Sequence, residues 1–74
     1  LRRSVRKAIG ALSIEQRVVI VLYYLNNLSL QDIAEILDVP VGTVKSRLYY
    51  ARENLRAKLG PNMIWLPEVA HGYV

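Results

Sequence analysis

Apolar residues recur along this chain at helical spacing. Val5, Ala8, Ile9 and Leu12 stand at i, i+3, i+4 and i+7, one stripe of a helix over Ser4 to Leu12. Ser13-Ile14-Glu15-Gln16 then reads as a capping box, with Gln16 at the third helical position. It opens a second helix from Ile14 to Leu25. The run Val18-Val19-Ile20-Val21-Leu22-Tyr23-Tyr24-Leu25 is β-branched enough for a strand, and periodicity alone does not separate the two. The capping box and an uninterrupted stretch of 12 residues decide for helix. Apolar on nearly every side, that helix is expected to be central or to offer a face to a partner.

Asn26-Asn27 reads as a stop, and Ser29-Leu30-Gln31-Asp32 as a second capped start, with Asp32 favourable near a helix N-terminus. The third helix, Leu30 to Leu37, buries Ile33, Ala34 and Leu37. Asp38-Val39-Pro40 ends it, because proline disfavours the helical region for the residue before it and suits the start of the next helix. A fourth helix runs from Val41 to Leu59, and Gly60-Pro61 stops it. The expected fold is all-α: a four-helix domain over residues 1–60 containing a helix-turn-helix and no winged elements. Residues 61–74, with two prolines and no helical period, read as an irregular tail. Its Ile64, Trp65, Leu66, Val69 and Tyr73 are expected to pack back on the bundle, since a free Trp-Leu stretch is an exposed apolar hazard.

Composition narrows the function. Of 74 residues, 53% are apolar and 22% charged, which is a folding composition, although so short a chain builds only a thin core. There is no cysteine, hence no disulfide framework and no thiolate metal site, and a single histidine, His71, cannot make a metal site by itself. We expect His71 to be solvated and no metal or cofactor to be held. The longest apolar run, residues 18–25, falls far short of the roughly 20 residues that span a bilayer. No signal peptide is visible, and a cytoplasmic location is expected. Residue 1 is leucine, which points to a piece of a longer chain. Enzyme chemistry has no foothold: there is no Ser/His/Asp set, metal-ligand spacing, phosphate-cradling glycine loop or inward carboxylate pair.

The net charge of +4 is placed unevenly. Residues 1–7 carry four bases and no acid, residues 8–38 one base and four acids, residues 45–58 five bases and one acid. Two basic ends about an acidic middle suit a polyanion-binding surface. A short helix, a three-residue turn and a longer helix is also the pattern whose second helix can enter a DNA major groove. At about 100° per residue, Val44, Leu48, Ala51 and Leu55 fall within about 60° of one another and define an inward face. The opposite face carries Gly42, Ser46, Tyr49, Tyr50 and Glu53; Lys45, Arg52 and Arg56 flank one side, Thr43, Arg47 and Asn54 the other. Small residues let a helix approach, medium side chains reach base edges, and flanking cations meet phosphates. Two adjacent exposed tyrosines are poorly explained by solubility alone.

The segments Leu12 to Arg17, Leu28 to Leu37, Val39 to Leu48 and Ala51 to Arg56 resemble region 4 of a bacterial sigma factor, of the extracytoplasmic-function branch of the sigma-70 family. The likeness covers residues 4–59, and its Gly42-Thr43-Val44-Lys45-Ser46-Arg47-Leu48 core is quite specific. It implies a domain that reads the −35 promoter element through its last helix and docks on the flap of the RNA polymerase β subunit. Anti-sigma factors sequester such domains. On this resemblance Lys45, Ser46 and Tyr49 occupy base-reading positions, and Arg52 meets phosphate. Thr43, Arg47 and Arg56 flank the same backbone, and the Leu30 and Gln31 amides brace it, as the N–H groups and dipole of a helix N-terminus favour anions. Tyr50 departs from the pattern, which commonly has arginine there. Arginine takes guanine O6 and N7 in two hydrogen bonds; tyrosine makes apolar contact with thymine methyl groups.

Helix two carries more apolar surface than short neighbours cover, and Ile20, Val21, Tyr24 and Leu25 are candidates for the polymerase or anti-sigma contact. Two other readings stay open. One is the output domain of a LuxR/GerE-type response regulator, which shares the Thr-Val-Lys motif; Ser46-Arg47-Leu48 and Ala51-Arg52 favour sigma. The other is a basic helical protein-interaction module, which binds DNA without sequence preference.

Overall fold

The structure, a computed structural model, describes residues 3–60. Four helices follow in order: α1 (Arg3–Gly10), α2 (Ile14–Ile20), α3 (Leu30–Leu37) and α4 (Val41–Leu59). A π-helical segment, Val21–Leu25, continues α2 without a break. The fold is all-α and contains the helix-turn-helix, formed by α3 and α4. The predicted tail, its docking on the bundle, His71 and the boundary drawn at residue 60 fall on or against residues outside those described.

Each helix begins and ends for a local reason. Ser13 is extended at the N-cap of α2, and its hydroxyl accepts the Gln16 amide at 3.3 Å. Ser29 does the same for α3, accepting the Asp32 amide at 3.0 Å. The end of α3 comes earlier than proline alone dictates. Asp38 takes a left-handed conformation (φ 57°, ψ 49°), its amide bonds to Glu35 O, and the Val39 amide reaches back to Ala34 O at 3.0 Å. That pair of bonds is a Schellman cap, here closed by aspartate. Pro40, extended, is the N-cap of α4, and its carbonyl accepts the Thr43 and Val44 amides. Gly60 closes α4 at φ 53° and ψ −122°, a region open to glycine alone.

The end of α2 is where the expectation of a plain helix fails. The Asn26 amide bonds to Val21 O at 3.1 Å, five residues back, and its side-chain Nδ2 donates to the same oxygen at 3.2 Å. Asn27 is left-handed (φ 57°), which sends the Leu28 amide to Leu22 O. The wider turn changes which side chains face inward: none of Val21 to Leu25 is fully buried.

The spine of the molecule is α4, against which α1, α2 and α3 all pack. Helix α2 buries Val19 and Ile20. Val5, Ala8, Ile9 and Leu12 from the first segment join Val19, Ile20 and Ile33 around Val44, Leu48, Ala51, Leu55 and Leu59. The Arg17 guanidinium donates to Gly10 O at 3.1 Å, placing a cation at the carbonyl end of α1 where the helix dipole favours it. Leu48 lies at the centre of the core. Leu48→Ala is expected to cost about 2–5 kcal/mol through lost burial and a cavity, and Ser29→Ala about 1 kcal/mol through a lost cap. Urea titrations of both variants check the order, which a merely propensity-driven bundle would not show.

Candidate nucleic-acid interface

Helix α4 presents two contrasting faces because its buried apolar positions are confined to one arc. Val44, Leu48, Ala51 and Leu55 have no exposed surface at all. Opposite them Gly42, Ser46, Tyr49, Tyr50 and Glu53 are exposed, as the wheel expects. Tyr49 retains 49% of its surface and Tyr50 59%. Their ring centroids lie 5.1 Å apart at 84°, an edge-to-face pair. A β-carbon built on Gly42 meets nothing within 4 Å, so packing does not require glycine there.

Beside this face lies an open groove of about 560 Å³ between the first turn of α2 and the first two and a half turns of α4. Ser13, Glu15 and Gln16 line one wall, and Pro40, Gly42, Thr43, Ser46, Arg47 and Tyr50 the other. Below it, Asn54 Nδ2 donates to Gln16 Oε1 at 2.8 Å, bridging α4 to α2. Gln16 thus spends its side chain on a tertiary bond. The contribution of α2 to this surface was not legible in sequence, because no periodicity states which helices lie side by side. The i to i+38 pairing has no local signal.

The predicted site residues sort into three groups. Ser46, Tyr49, Tyr50 and Gln31 are exposed, and Lys45, Thr43, Arg47 and Leu30 half-buried at the margin. Ser29 takes the Asp32 and Ile33 amides through its hydroxyl and carbonyl. The Leu30 and Gln31 amides precede them in the first turn, where no helical acceptor exists. Arg56 is exposed but pairs with Glu53 at 3.5 Å, an i, i+3 contact its spacing allowed.

Two of the predicted site residues are buried. Arg52 is 5% exposed. It sits about 40° beyond Leu48 on the wheel, the nearest of its flank to the core arc, and its stem packs inward. Ile20 is fully buried within the core. Its companions differ: Val21 and Tyr24 are half-buried, Leu25 is 43% exposed, and Tyr24 stacks edge-to-face on Tyr23 at 5.1 Å.

Among the described residues no group of three or more His, Cys, Asp or Glu is arranged to hold a metal ion. No helix among them is long and apolar enough to cross a membrane.

The family model for sigma-70, region 4, matches residues 2–55. Among curated relatives, the chain is 48% identical over 59 residues to ECF RNA polymerase sigma factor SigW of Bacillus subtilis, covering 80% of this chain and 32% of that protein. It is 46% identical over 63 residues to the ECF RNA polymerase sigma-E factor of Haemophilus influenzae, covering 85% and 33%. To the sigma-E factor of Escherichia coli K12 it is 44% identical over 61 residues, covering 82% and 32%. The chain spans about a third of the length of these relatives. No solved structure matches it significantly. Neither of the two competing readings of the sequence is favoured by these matches.

Burial separates the two arginines of one flank. Arg52→Ala is expected to lower stability by more than about 1 kcal/mol through lost packing, and Arg56→Ala to stay within about 0.5 kcal/mol. Thermal and urea unfolding, followed by circular dichroism, decide between this ordering and two equivalent surface cations.

Proposed function

The chain belongs to the sigma-70 region 4 family, and on that premise we propose that it binds the −35 promoter element as the promoter-anchoring module of an RNA polymerase sigma factor. One observation carries the reading. Helix α4 is held by a single buried arc, so its opposite face, with Ser46, Tyr49 and Tyr50 between half-buried Lys45 and Arg47, is free to enter a major groove. Residues 1–60 are the DNA-binding unit in this reading.

The roles follow from reach. Lys45, Ser46, Tyr49 and Tyr50 face base edges. Thr43 and Arg47 on one margin, the Leu30 and Gln31 amides at the other, and Arg56 beyond them meet phosphates. Phosphate contacts set register, and the central face sets sequence. Arg52 drops out of the contact set and supports the helix from within. Gly42 fits the same account: glycine within a helix costs about 0.5–1 kcal/mol against alanine, packing does not demand it, and closeness to DNA does.

For partners, the π-helical segment supports docking on the polymerase β flap. Val21, Tyr24 and Leu25 leave apolar surface that this domain does not cover, and an anti-sigma factor competing for it fits the same surface. A promoter reader acts in the cytoplasm on double-stranded DNA and needs neither catalysis nor a cofactor. Promoter opening belongs to other parts of a full sigma factor.

Selection from random duplexes, followed by fluorescence anisotropy on the winner and a scrambled control, tests the proposal. At least about tenfold preference, roughly 1.4 kcal/mol, is expected; uniform binding to both would count against it. Affinity should fall with salt, with a log–log slope of about −0.9 per phosphate neutralised. Arg47→Ala should make that slope shallower by about one such unit and weaken all duplexes alike, whereas Ser46→Ala and Tyr49→Ala should change the selected sequence. Gly42→Ala should raise stability by up to about 1 kcal/mol and weaken DNA binding, a pairing of outcomes that a purely structural glycine cannot produce.

A further inference from the structure

The cations of α4 are arranged in a way that constrains which bases it reads. Arg52 is buried and Arg56 is paired to Glu53. Lys45 and Arg47 are half-buried on opposite margins, Arg47 within the groove against α2. The centre of the outer face therefore holds no guanidinium. It holds Ser46 and the edge-to-face pair of Tyr49 and Tyr50, each about half exposed.

In the major groove, guanine is singled out by two acceptors, O6 and N7, which arginine or lysine engages together. The one apolar group presented there is the C5-methyl of thymine. Two rings set at right angles offer apolar surface along two directions and no donor beyond their hydroxyls, and few side-chain torsions must be frozen to use them. Desolvating that surface against phosphate or against guanine's acceptors gains little, while a methyl group is its complement.

We infer that the segment of the −35 element facing the centre of α4 is read as thymine, through methyl contact with the Tyr49–Tyr50 pair, and not as guanine. This rests on the promoter-binding reading above, and the test separates the two. The duplex recovered by selection is resynthesised with each thymine replaced singly by deoxyuridine, which removes only the methyl group, and bound by the 74-residue chain at fixed low salt.

At one or two central positions the replacement should weaken binding about fourfold, the scale of one buried methyl. Tyr50→Phe, which keeps the ring and loses the hydroxyl, should retain that sensitivity; Tyr50→Ala should lose it. Because Tyr50 is 59% exposed, neither variant threatens the core, and circular dichroism verifies the fold. A selected motif bound equally well with uracil throughout, or one centred on guanine, overturns the inference and leaves promoter recognition standing. Absence of any sequence preference overturns both.

Discussion

The burial of one narrow arc of α4 is the constraint on which the rest of the structure depends. Val44, Leu48, Ala51 and Leu55 span about 60° of the helix circumference and are completely enclosed. Three short helices converge on that arc. Full burial of an aliphatic side chain contributes roughly 1.5–3 kcal/mol, so these few positions carry a large share of what a 74-residue chain can muster. The same confinement leaves the far side of α4 outside the bundle. Core and exposed face are thus two consequences of one periodic pattern, and a change that widened the apolar arc would cover the surface it now exposes.

Much of this was legible in the sequence, and the legible parts share a cause. Both α3 and α4 begin and end where their punctuation places them, because Ser29, Asp38, Pro40 and Gly60 act on their own backbone or that of near neighbours. The inward and outward faces of α4 were legible for the same reason, since each depends only on spacing along one helix. Three features were not. The π-helical turn depends on Asn26 donating twice to Val21 O, and an unbroken apolar run looks alike at four or five residues of separation. The groove beside α4 depends on α2 lying alongside it. Arg52 and Arg47 sit symmetrically on the wheel, about 40° outside the core arc on either side, yet one is buried and the other half-exposed. What differs is the neighbouring helix, not the residue's own position.

Local strain in this chain gathers at the connections that aim α4. Asp38 and Asn27 both occupy the left-handed region, which costs an ordinary residue roughly 1–2 kcal/mol and is tolerated by aspartate and asparagine. Asn27 turns the chain from the π-helical segment toward α3, and Asp38 turns it from α3 toward α4. Between them α3 is only eight residues long, too short to stand without packing. Its single completely buried side chain, Ile33, meets the core that α4 organises. The angle between α3 and α4 is therefore set by the αL cap at one end and by Ile33 at the other. That geometry bears on the proposed DNA binding, in which the amides opening α3 and the side chains on α4 would meet the same duplex at once.

The outer face of α4 gives up stability in ways that packing does not explain. A glycine stands in a helical first turn with open space around it. Two tyrosines hold their rings in water when leucine-sized burial elsewhere would contribute more. The helix starts at a proline cap with no side chain to satisfy its first amides and no acid to meet its dipole. The glycine and both tyrosines fall on one surface of α4. Locally unfavourable choices collected on one exposed face are the expected mark of a surface shaped by what it touches. Charge alone does not produce that mark, since the bases of α4 lie on its flanks. On the promoter-binding role proposed above, the small and aromatic residues between them carry the sequence preference, while the cations hold the helix to whatever duplex it meets.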